Sequence, residues 1–506
     1  MARKYLKFRP DFGIHDLETT IAEDDQNLPQ YYVDREVYVE RAINREDAAS
    51  VFVGPKGAGK SAVLQMVRHH ANAGGNKGRL VDIVPDDLAF NALVNIDART
   101  PLLESAAQNQ WLFTSLWDFV ICAEILYRKT ADRHALSKLL TSWFGDRNKK
   151  QQEKLLKITV DDEGKHLSMT DKMLALIDEI EIEGGYDKLS GKAKVKTGDP
   201  GSRSQDLQLL QLISSVAKNL SKNISHEYYV LIDDLDLHWT GTPLQNAFIA
   251  AMFLSIRKLS RERVIKFAVS LRHSIYREIT IEERDKFDPF VCEVEWSKHS
   301  IQKMIAKRMN YALNVREVDV WGKLFPKTAF DYIWDNTDGM PRELIRLTVA
   351  CIDIGIKAGE KTVSAETINK ATQKFSDKRA DELASLHKHN YPGLRLVIQE
   401  FKGRKKEFDV STILEVGAKI AELSNANSDL PNLQWAACGF EDPVSLGRSL
   451  LTAGFLLLKE GRSTVAHIAD LDQIRALTDS NWFAIHPMYH AGLGLDGFDT
   501  FEDDGT

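Results

Sequence analysis

Short apolar runs alternate with helical patterns over the first three hundred residues. Five runs have the length and composition of buried strands: residues 49–53, 79–84, 228–232, 264–271 and 290–296. Helical periodicity covers residues 60–71, about 206–221 and a stretch that ends near Leu259. Because strands that alternate with helices build a parallel sheet with helices on both faces, the pattern predicts an α/β core.

A long helical stretch interrupts this alternation between about residues 102 and 205. Its apolar stripe includes Trp111 and Trp117. We interpret the stretch as a helical insertion into the core. Glycines, a proline and polar residues at 191–206 favour an exposed loop there, with a basic patch as the alternative.

Helical patterns follow directly after the last apolar run of the core. Residues 300–313, 326–336 and 341–357 predict three helices, which we assign to an all-helical lid. Ser364 is placed to cap a further long helix that runs to about His387.

A third unit begins after the Tyr-Pro-Gly sequence at residues 391–393. It contains helical patterns near residues 394–402, 410–423 and 442–453, followed by β-like stretches at 455–458 and 482–485. Helices followed by a short hairpin-like pair suggest a winged-helix module. We expect this module to fold alone and to carry partner recognition.

Composition is that of an ordinary globular protein with several domains. The 506 residues are 43% hydrophobic and 27% charged. No apolar run approaches the ~18 to 20 residues that cross a bilayer, and the first ten residues lack the apolar stretch of a signal peptide. We therefore expect a cytoplasmic protein without a membrane segment.

The net charge of −7 is modest, and five of the negative charges lie in the final segment. The nearly neutral remainder argues against nucleic-acid binding over the whole surface. A local basic cluster remains as a candidate DNA contact, or as a solvated turn: Lys402, Arg404, Lys405 and Lys406.

Cysteines and histidines give no sign of a metal site. Four cysteines lie far apart among apolar neighbours without a CxxC pair, so we expect buried free thiols: Cys122, Cys292, Cys351 and Cys438. His486 and His490 stand four residues apart, but Pro487 between them and the lack of a third ligand favour a structural role.

The segment GPKGAGKS at residues 54–61 matches the phosphate-binding pattern GxxxxGK(S/T), and it lies between a predicted strand and a predicted helix. Its glycines allow successive N–H groups to face the phosphates of ATP, while Lys60 reaches the β and γ phosphates and Ser61 ligates Mg²⁺. The predicted nucleotide-binding residues are Gly54, Pro55, Lys56, Gly57, Ala58, Gly59, Lys60, Ser61 and Ala62. The alternative is a loop that matches by chance.

Acidic residues follow the predicted strand YYVLI at 228–232. Asp233 is predicted to hold Mg²⁺ through water, and Asp234 to orient or deprotonate the attacking water. Asp236 lies close behind them. An acidic turn that caps the next helix is the alternative.

Residues from about 30 to 375 resemble the AAA+ and STAND branches of the P-loop ATPases, especially bacterial relatives of origin-recognition-type initiators. The resemblance implies a sensor 1 position in VSLRHS, filled by Ser270 or Arg272, and a sensor 2 arginine in DGMPREL, Arg342, that reaches the γ-phosphate. A surface arginine and a simple helix start are the respective alternatives.

This sequence departs from many AAA+ members at the acidic pair, where Asp234 replaces a glutamate. Its shorter side chain is compatible with slow, switch-like hydrolysis. An arginine finger is left open between Arg277 and Arg284, because their segment also reads as an ordinary charged helix face.

The predicted organisation has five parts: an N-terminal segment (1–48), a P-loop ATPase core (49–296), a helical lid (297–388), a winged-helix domain (389–493) and an acidic tail (494–506). We expect a Mg²⁺-dependent ATPase that acts as a conformational switch. The resemblance suggests DNA or a defence-type effector protein as the partner, and protection against phage as the setting. Homo-oligomerisation stays open.

Two other functions remain in view at this point. In the first, the protein is a scaffold that binds ATP and scarcely hydrolyses it. In the second, it is a kinase that uses the same loop, although no acceptor-substrate signature is visible.

Overall fold

The computed structural model describes most of the chain. The described residues are 6–10, 12–33, 37–74, 79–83, 111–130, 133–145, 149–160, 167–169, 171–176, 213–220, 227–235, 239, 241–426, 432–459 and 471–503. The chain divides into two compact units. The core unit is Ala22–Glu295, and the helical unit combines Met1–Ile21 with Trp296–Thr506.

A parallel sheet forms the centre of the core unit. Its strands are β1 (Val51–Gly54), β2 (Leu80–Ile83), β3 (Tyr228–Ile232), β4 (Ile265–Arg272) and β5 (Val291–Glu293). Their order is β2-β3-β4-β1-β5, and every neighbouring pair is parallel. The predicted α/β fold with a P-loop NTPase core is confirmed.

The principal helices have the following bounds. They are α1 (Ile14–Glu18), α2 (Leu28–Tyr31), α3 (Tyr38–Ile43), α4 (Lys60–Ala73), α5 (Trp111–Thr130), α6 (Arg133–Phe144), α7 (Lys149–Lys157), α8 (Pro243–Leu259), α9 (His273–Glu278), α10 (Lys298–Leu313), α11 (Glu317–Asp319), α12 (Ala329–Asp335), α13 (Pro341–Lys357), α14 (Ala365–Leu386), α15 (Leu394–Gln399), α16 (Val410–Ala426), α17 (Gln434–Ala437), α18 (Pro443–Ala453), α19 (Leu471–Arg475) and α20 (His490–Leu493).

The inserted helix α5 packs against α8 of the core. Trp117 is fully buried, its indole N–H donates to the Phe248 carbonyl at 2.9 Å, and the two rings stack at 4.8 Å. Thr242 caps α8 by accepting from the Gln245 amide at 3.3 Å, with Pro243 at the first helical position. The predicted apolar stripe therefore serves as the packing face of the insertion. The predicted loop at 191–206 lies outside the described residues.

The lid helices of the helical unit are held together by a buried ion pair. Arg379 on α14 contacts Glu343 on α13 at 2.9 Å, and both side chains are nearly inaccessible to solvent. Ser364 caps α14 as predicted, since its hydroxyl accepts from the Thr367 amide at 3.2 Å. These contacts fix α13 and α14 side by side.

The chain begins in this same unit. Arg308 on α10 is buried and donates to the Leu17 carbonyl at 3.2 Å and to the Asp16 carbonyl at 3.4 Å. A buried guanidinium is costly unless its N–H groups have partners, and here backbone carbonyls at the end of α1 supply them. Hence α1 is anchored to the lid helices.

The C-terminal module has winged-helix topology with one strand more than predicted. Its antiparallel sheet has the order β6-β8-β7, formed by β6 (Glu407–Asp409), β7 (Leu456–Lys459) and β8 (Trp482–Ile485). The sequence indicated only the last two strands, because β6 is three residues long and has one buried side chain, Phe408. Helices α16 and α18 lie between β6 and β7 in the chain.

Polar contacts join this module to α14. The Gly492 amide donates to the Ser376 hydroxyl at 2.9 Å. Asn369 exchanges two hydrogen bonds with the Phe501 backbone, at 2.8 and 2.9 Å, and the Phe501 side chain is buried. The predicted acidic tail is thus packed on the lid helix at Phe501.

Two smaller expectations have outcomes here. Cys122, Cys292 and Cys351 are buried as expected, but the expectation is wrong for Cys438, which is exposed at the end of α17. Cys438 lies in a short turn in which Phe440 is exposed as well, so apolar neighbours in the sequence do not imply burial here. Within the described part of the chain, no helix has the length and apolar content needed to cross a membrane.

Gly417 on α16 provides a test of the module's packing. A Cβ atom at this position would lie 2.4 Å from the Gly439 carbonyl carbon and 2.6 Å from the Phe440 nitrogen. Gly417→Ala should therefore destabilise the helical unit by about 2 kcal/mol, because the backbone cannot give way as a side chain can. Calorimetric unfolding should show this loss. Glu422→Ala, exposed on the same helix, should change stability by less than about 0.5 kcal/mol; equal behaviour of the two variants would contradict the packing.

Candidate functional site

The predicted phosphate loop leaves the sheet from an interior strand. Strand β1 lies between β4 and β5, with Val51 in register with Val269 on one side and Val291 on the other. The loop then turns through Gly57 (φ 86°) and Gly59 (φ 90°), both in the left-handed region that glycine adopts freely. Gly59 is the N-cap of α4, so the loop delivers the chain to the start of that helix.

Lys60 is the first residue of α4, and its side chain is held by the loop itself. The ammonium group donates to the Gly54 carbonyl at 3.0 Å and to the Pro55 carbonyl at 2.9 Å, and the residue is 8% exposed. The N-terminal end of α4 carries a partial positive charge. An ammonium group, the N–H groups of the first helical turn and this dipole are the components from which anion sites are built.

The other predicted loop residues occupy contiguous positions around Lys60. Ala58 is buried, Pro55 and Lys56 are exposed, and Ser61 and Ala62 are half-buried in the first turn of α4. Gly54 ends β1, and a Cβ atom there would lie 3.1 Å from the Val294 carbonyl oxygen. The close approach explains why glycine fits the end of this strand.

The acidic pair follows β3 at the same edge of the sheet, because the carboxyl ends of parallel strands share one edge. Asp233 is 6% exposed, and its Oδ1 accepts from the Asp234 amide at 3.0 Å. Asp234 is exposed and has a left-handed backbone (φ 57°). Asp236 lies outside the described residues.

The two sensor 1 candidates lie on β4, next to β1. Ser270 is in register with Phe52 and is buried, whereas Arg272 is in register with Gly54 and ends the strand. Register therefore brings Arg272 beside the first residue of the loop and leaves Ser270 two residues back along the strand.

Arg342 lies at the second position of α13, in the helical unit, whereas the other predicted site residues belong to the core unit. The preceding turn is built by Gly339 (φ 71°) and by a hydrogen bond of 2.8 Å from the Met340 amide to Asp338. Burial raises the pKa of Asp338 to about 7. The predicted helix start is thus present, with Pro341 at its first position.

The two arginine-finger candidates, Arg277 and Arg284, line the same open cavity of about 520 Å³. The Arg284 guanidinium donates to the Tyr276 carbonyl and lies 4.1 Å from the centre of the Tyr276 ring. His273 and Glu293 also line this cavity. Burial, aided by Arg277, lowers the pKa of His273. An arginine finger remains a prediction.

The histidine pair has hydrogen-bonding roles. His490 Nε2 lies 2.7 Å from the Ile485 carbonyl, and His486 Nδ1 accepts from the Met488 amide at 3.3 Å. Over the described residues, no cluster of three or more His, Cys, Asp or Glu is arranged to hold a metal ion.

Tyr38 helps to position the site, a role that sequence patterns did not predict. Its hydroxyl donates to the Glu293 carbonyl at 3.1 Å and accepts from the Glu295 amide at 3.2 Å. It thereby fixes the segment after β5 that contacts Gly54. A tyrosine about 255 residues away in the chain gives no local signal of such a contact.

Comparisons with known proteins give one family match. The FunZ-associated C-terminal helical domain matches residues 299–384, which run from α10 into α14. No curated protein is significantly similar to this chain.

Several solved structures are similar over most of the chain at low identity. The Aeropyrum pernix ORC1 protein in complex with DNA is 13% identical, over 90% of this chain and 95% of that one, with a TM-score of 0.40. The Cdc6p of Pyrobaculum aerophilum is 10% identical, over 93% and 92%, with a TM-score of 0.34. The Drosophila ORC bound to DNA is 10% identical, over 96% and 95%, with a TM-score of 0.33.

The glycine at the start of α4 yields a test of the loop geometry. Gly59→Ala forces a side chain into the left-handed region and should cost about 1–2 kcal/mol of stability. It should also weaken the binding of inorganic pyrophosphate, measured by calorimetry, because the N–H groups no longer converge.

The control lies at the other end of the same helix. Gly74 caps the C-terminus of α4 with an ordinary φ of −76°, so Gly74→Ala should leave both stability and binding almost unchanged. Equal effects at Gly59 and Gly74 would contradict the proposed loop geometry.

Proposed function

We propose that this protein is a Mg²⁺-dependent ATPase that works as a nucleotide-controlled conformational switch. The observation that carries the proposal is the loop at 54–61, with two left-handed glycines and the Lys60 ammonium at the N-terminus of α4. This combination provides the N–H groups, charge and helix end that a triphosphate requires.

Within this proposal, Lys60 exchanges its loop carbonyl partners for the β and γ phosphates of ATP. The exchange keeps the ammonium group hydrogen-bonded both with and without nucleotide. Backbone N–H groups of residues 56–62 bind the remaining phosphate oxygens. The partial positive charge at the N-terminal end of α4 also attracts the negatively charged phosphates.

Ser61 and Asp233 are the residues suited to hold Mg²⁺. Asp233 is a buried carboxylate whose Oδ2 accepts no hydrogen bond from the described residues, and buried carboxylates need a cation or hydrogen-bond donors. Hydroxyl and carboxylate oxygens are ligands that Mg²⁺ prefers. When bound, the ion would neutralise charge on the phosphates.

Asp234 is proposed to orient the attacking water and to accept its proton, since its carboxylate is exposed at the edge where the phosphates lie. Arg272, beside Gly54, is proposed to stabilise charge that develops on the transferred phosphoryl group. A scaffold that binds ATP with little hydrolysis is the second candidate. The short side chain of Asp234 favours it, because it limits reach toward the water.

The C-terminal module is proposed to recognise a protein rather than DNA. Residues 391–506 carry ten lysines and arginines against seventeen aspartates and glutamates, which accounts for the whole net charge of −7. In the basic cluster, Arg404 pairs with Glu415 at 2.6 Å and Lys406 donates to the Gly497 carbonyl at 3.1 Å. A surface of this charge repels the phosphates of duplex DNA.

The resemblance to STAND-like ATPases extends this proposal to bacterial defence against phage, with an effector protein as the partner. Movement of the lid helices would also move the module and its partner-binding surface, because the module is hydrogen-bonded to α14.

Substitutions at the loop and at the acidic pair test the enzymatic proposal. Lys60→Ala should lower ATP affinity by at least about tenfold in calorimetry, because a charge-assisted contact to the phosphates is lost. Asp234→Asn should retain binding and reduce phosphate release by about 100-fold, because only the proton acceptor is lost. Lys286→Ala, an exposed lysine of the same unit, should match wild type. Equal ATP affinity in wild type and Lys60→Ala would overturn the ATP site; slow phosphate release in wild type would favour the scaffold.

A second test concerns Arg342. We expect a non-hydrolysable ATP analogue to protect the linker at residues 389–393 from proteolysis more than ADP does, because only the analogue offers a γ-phosphate to Arg342. Arg342→Ala should abolish the difference.

The matched control for Arg342 is Arg346, one turn further along α13. Arg346 is paired with Glu343 at 3.0 Å, so Arg346→Ala should keep the nucleotide-dependent difference. Identical digestion of wild type in both nucleotides would show that no such switch exists.

A further inference from the structure

A second polar cavity lies at the opposite edge of the core sheet, where the strands begin. It has a volume of about 330 Å³ and extends between the segment before β1, the start of β4 and the end of α8. Six side chains decide its chemistry: Arg45, Glu46, Arg257, Ser260, Arg261 and Lys266. None of them belongs to the predicted nucleotide site.

The two acidic residues that line the cavity already have cationic partners. Glu46 pairs with Arg263, and Asp47 pairs with Arg41 at 3.0 Å. Arg257 and Arg261 form no ion pair with the described residues. Arg257 lies over the Phe287 ring, at 5.4 Å, and interacts electrostatically with Glu283, which is outside the cavity and pairs with Lys286. The cavity is therefore lined by two guanidinium groups that have no carboxylate partner within it.

A buried ammonium group forms the back of the cavity. Lys266 is 5% exposed and donates to the carbonyls of Asp47 and Ala49, at 2.6 and 2.8 Å. Two acceptors leave one of its three N–H groups without a partner among the described residues. Burial lowers the pKa of Lys266 to about 8, so the group is still mainly charged at pH 7.

A serine hydroxyl completes the set of unused donors. The Ser260 Oγ is buried and has no hydrogen-bond partner in the described structure. Unsatisfied buried polar groups are rare because each costs free energy, and a bound ligand is one of the usual reasons for their presence. An oxyanion in the cavity would accept from this hydroxyl and offset the charge of Lys266.

We propose that this cavity binds a small phosphate-bearing ligand at a site separate from the nucleotide phosphates. Guanidinium, ammonium and hydroxyl groups are the donors that recognise phosphate oxygens in proteins. Here they come from the end of α8 and the turn after it (Arg257, Ser260, Arg261) and from the start of β4 (Lys266).

The dimensions favour a small molecule over a nucleic-acid backbone. The volume falls at the lower end of small-ligand pockets, about 300–1,000 Å³. Lys266 is recessed, so only a group small enough to enter the cavity can contact its ammonium group. A single phosphoryl group can enter the cavity and reach the donors, whereas a nucleic-acid backbone is too extended to do so.

The experiment is calorimetric titration of the full chain with inorganic pyrophosphate, without Mg²⁺, at pH 7. Wild type should bind pyrophosphate at two sites. The double variant Arg257→Ala, Arg261→Ala should lose at least about tenfold in affinity at one site, because two charge-assisted contacts disappear. Lys60→Ala should affect only the other site.

The matched control removes two charges from the last turn of another core helix, as Arg128→Ala with Lys129→Ala on α5. This control separates a specific site from a general effect of charge, and from the ordinary role of Arg257 in stabilising the end of α8. It should leave both sites intact. Thermal unfolding of both double variants establishes that each is folded.

Three results would overturn the proposal. One is that Lys60→Ala abolishes all pyrophosphate binding. Another is an equal loss of affinity in the two double variants. The third is that Arg257→Ala, Arg261→Ala leaves pyrophosphate binding intact and instead removes the binding of a duplex DNA.

Discussion

The position of β1 inside a parallel sheet, between two other strands, is the constraint on which the candidate site depends. Strands β4 and β5 hold β1 in register on its two sides, so the chain leaves the sheet at Gly54, beside Arg272. Gly57 and Gly59 turn left-handed before α4 begins, which is a backbone geometry that allows successive N–H groups to face one anion. The buried carboxylate of Asp233 reaches the same edge because β3 runs parallel to β1.

Contacts within the helical unit connect α13, α14 and the winged-helix module. The Arg379–Glu343 pair fixes α13 to α14, and the contacts of Ser376 and Asn369 fix the winged-helix module to α14. A movement of α13 that is driven through Arg342 would therefore carry the module with it. The lid helices and the partner-binding surface would then move together, so a contact with the γ-phosphate would have an effect on a distant surface.

Local patterns made much of the fold predictable. Strand β3 was predicted with its bounds because an apolar run ends in two aspartates, and α14 because Ser364 is a capping residue. Strand β6 was missed because pairing with β8, rather than composition, makes three residues a strand. The contact of Tyr38 with the segment after β5 and the exposure of Cys438 depend on tertiary packing, which periodicity does not encode.

Hydrogen–deuterium exchange of the wild-type chain tests the central claim most directly, since it reads the backbone N–H groups that are proposed to hold the phosphates. We predict that ATP with Mg²⁺ slows exchange in the peptide that covers residues 54–62, and that ADP does so to a smaller extent. Unchanged exchange across residues 54–62 at saturating ATP would contradict the account.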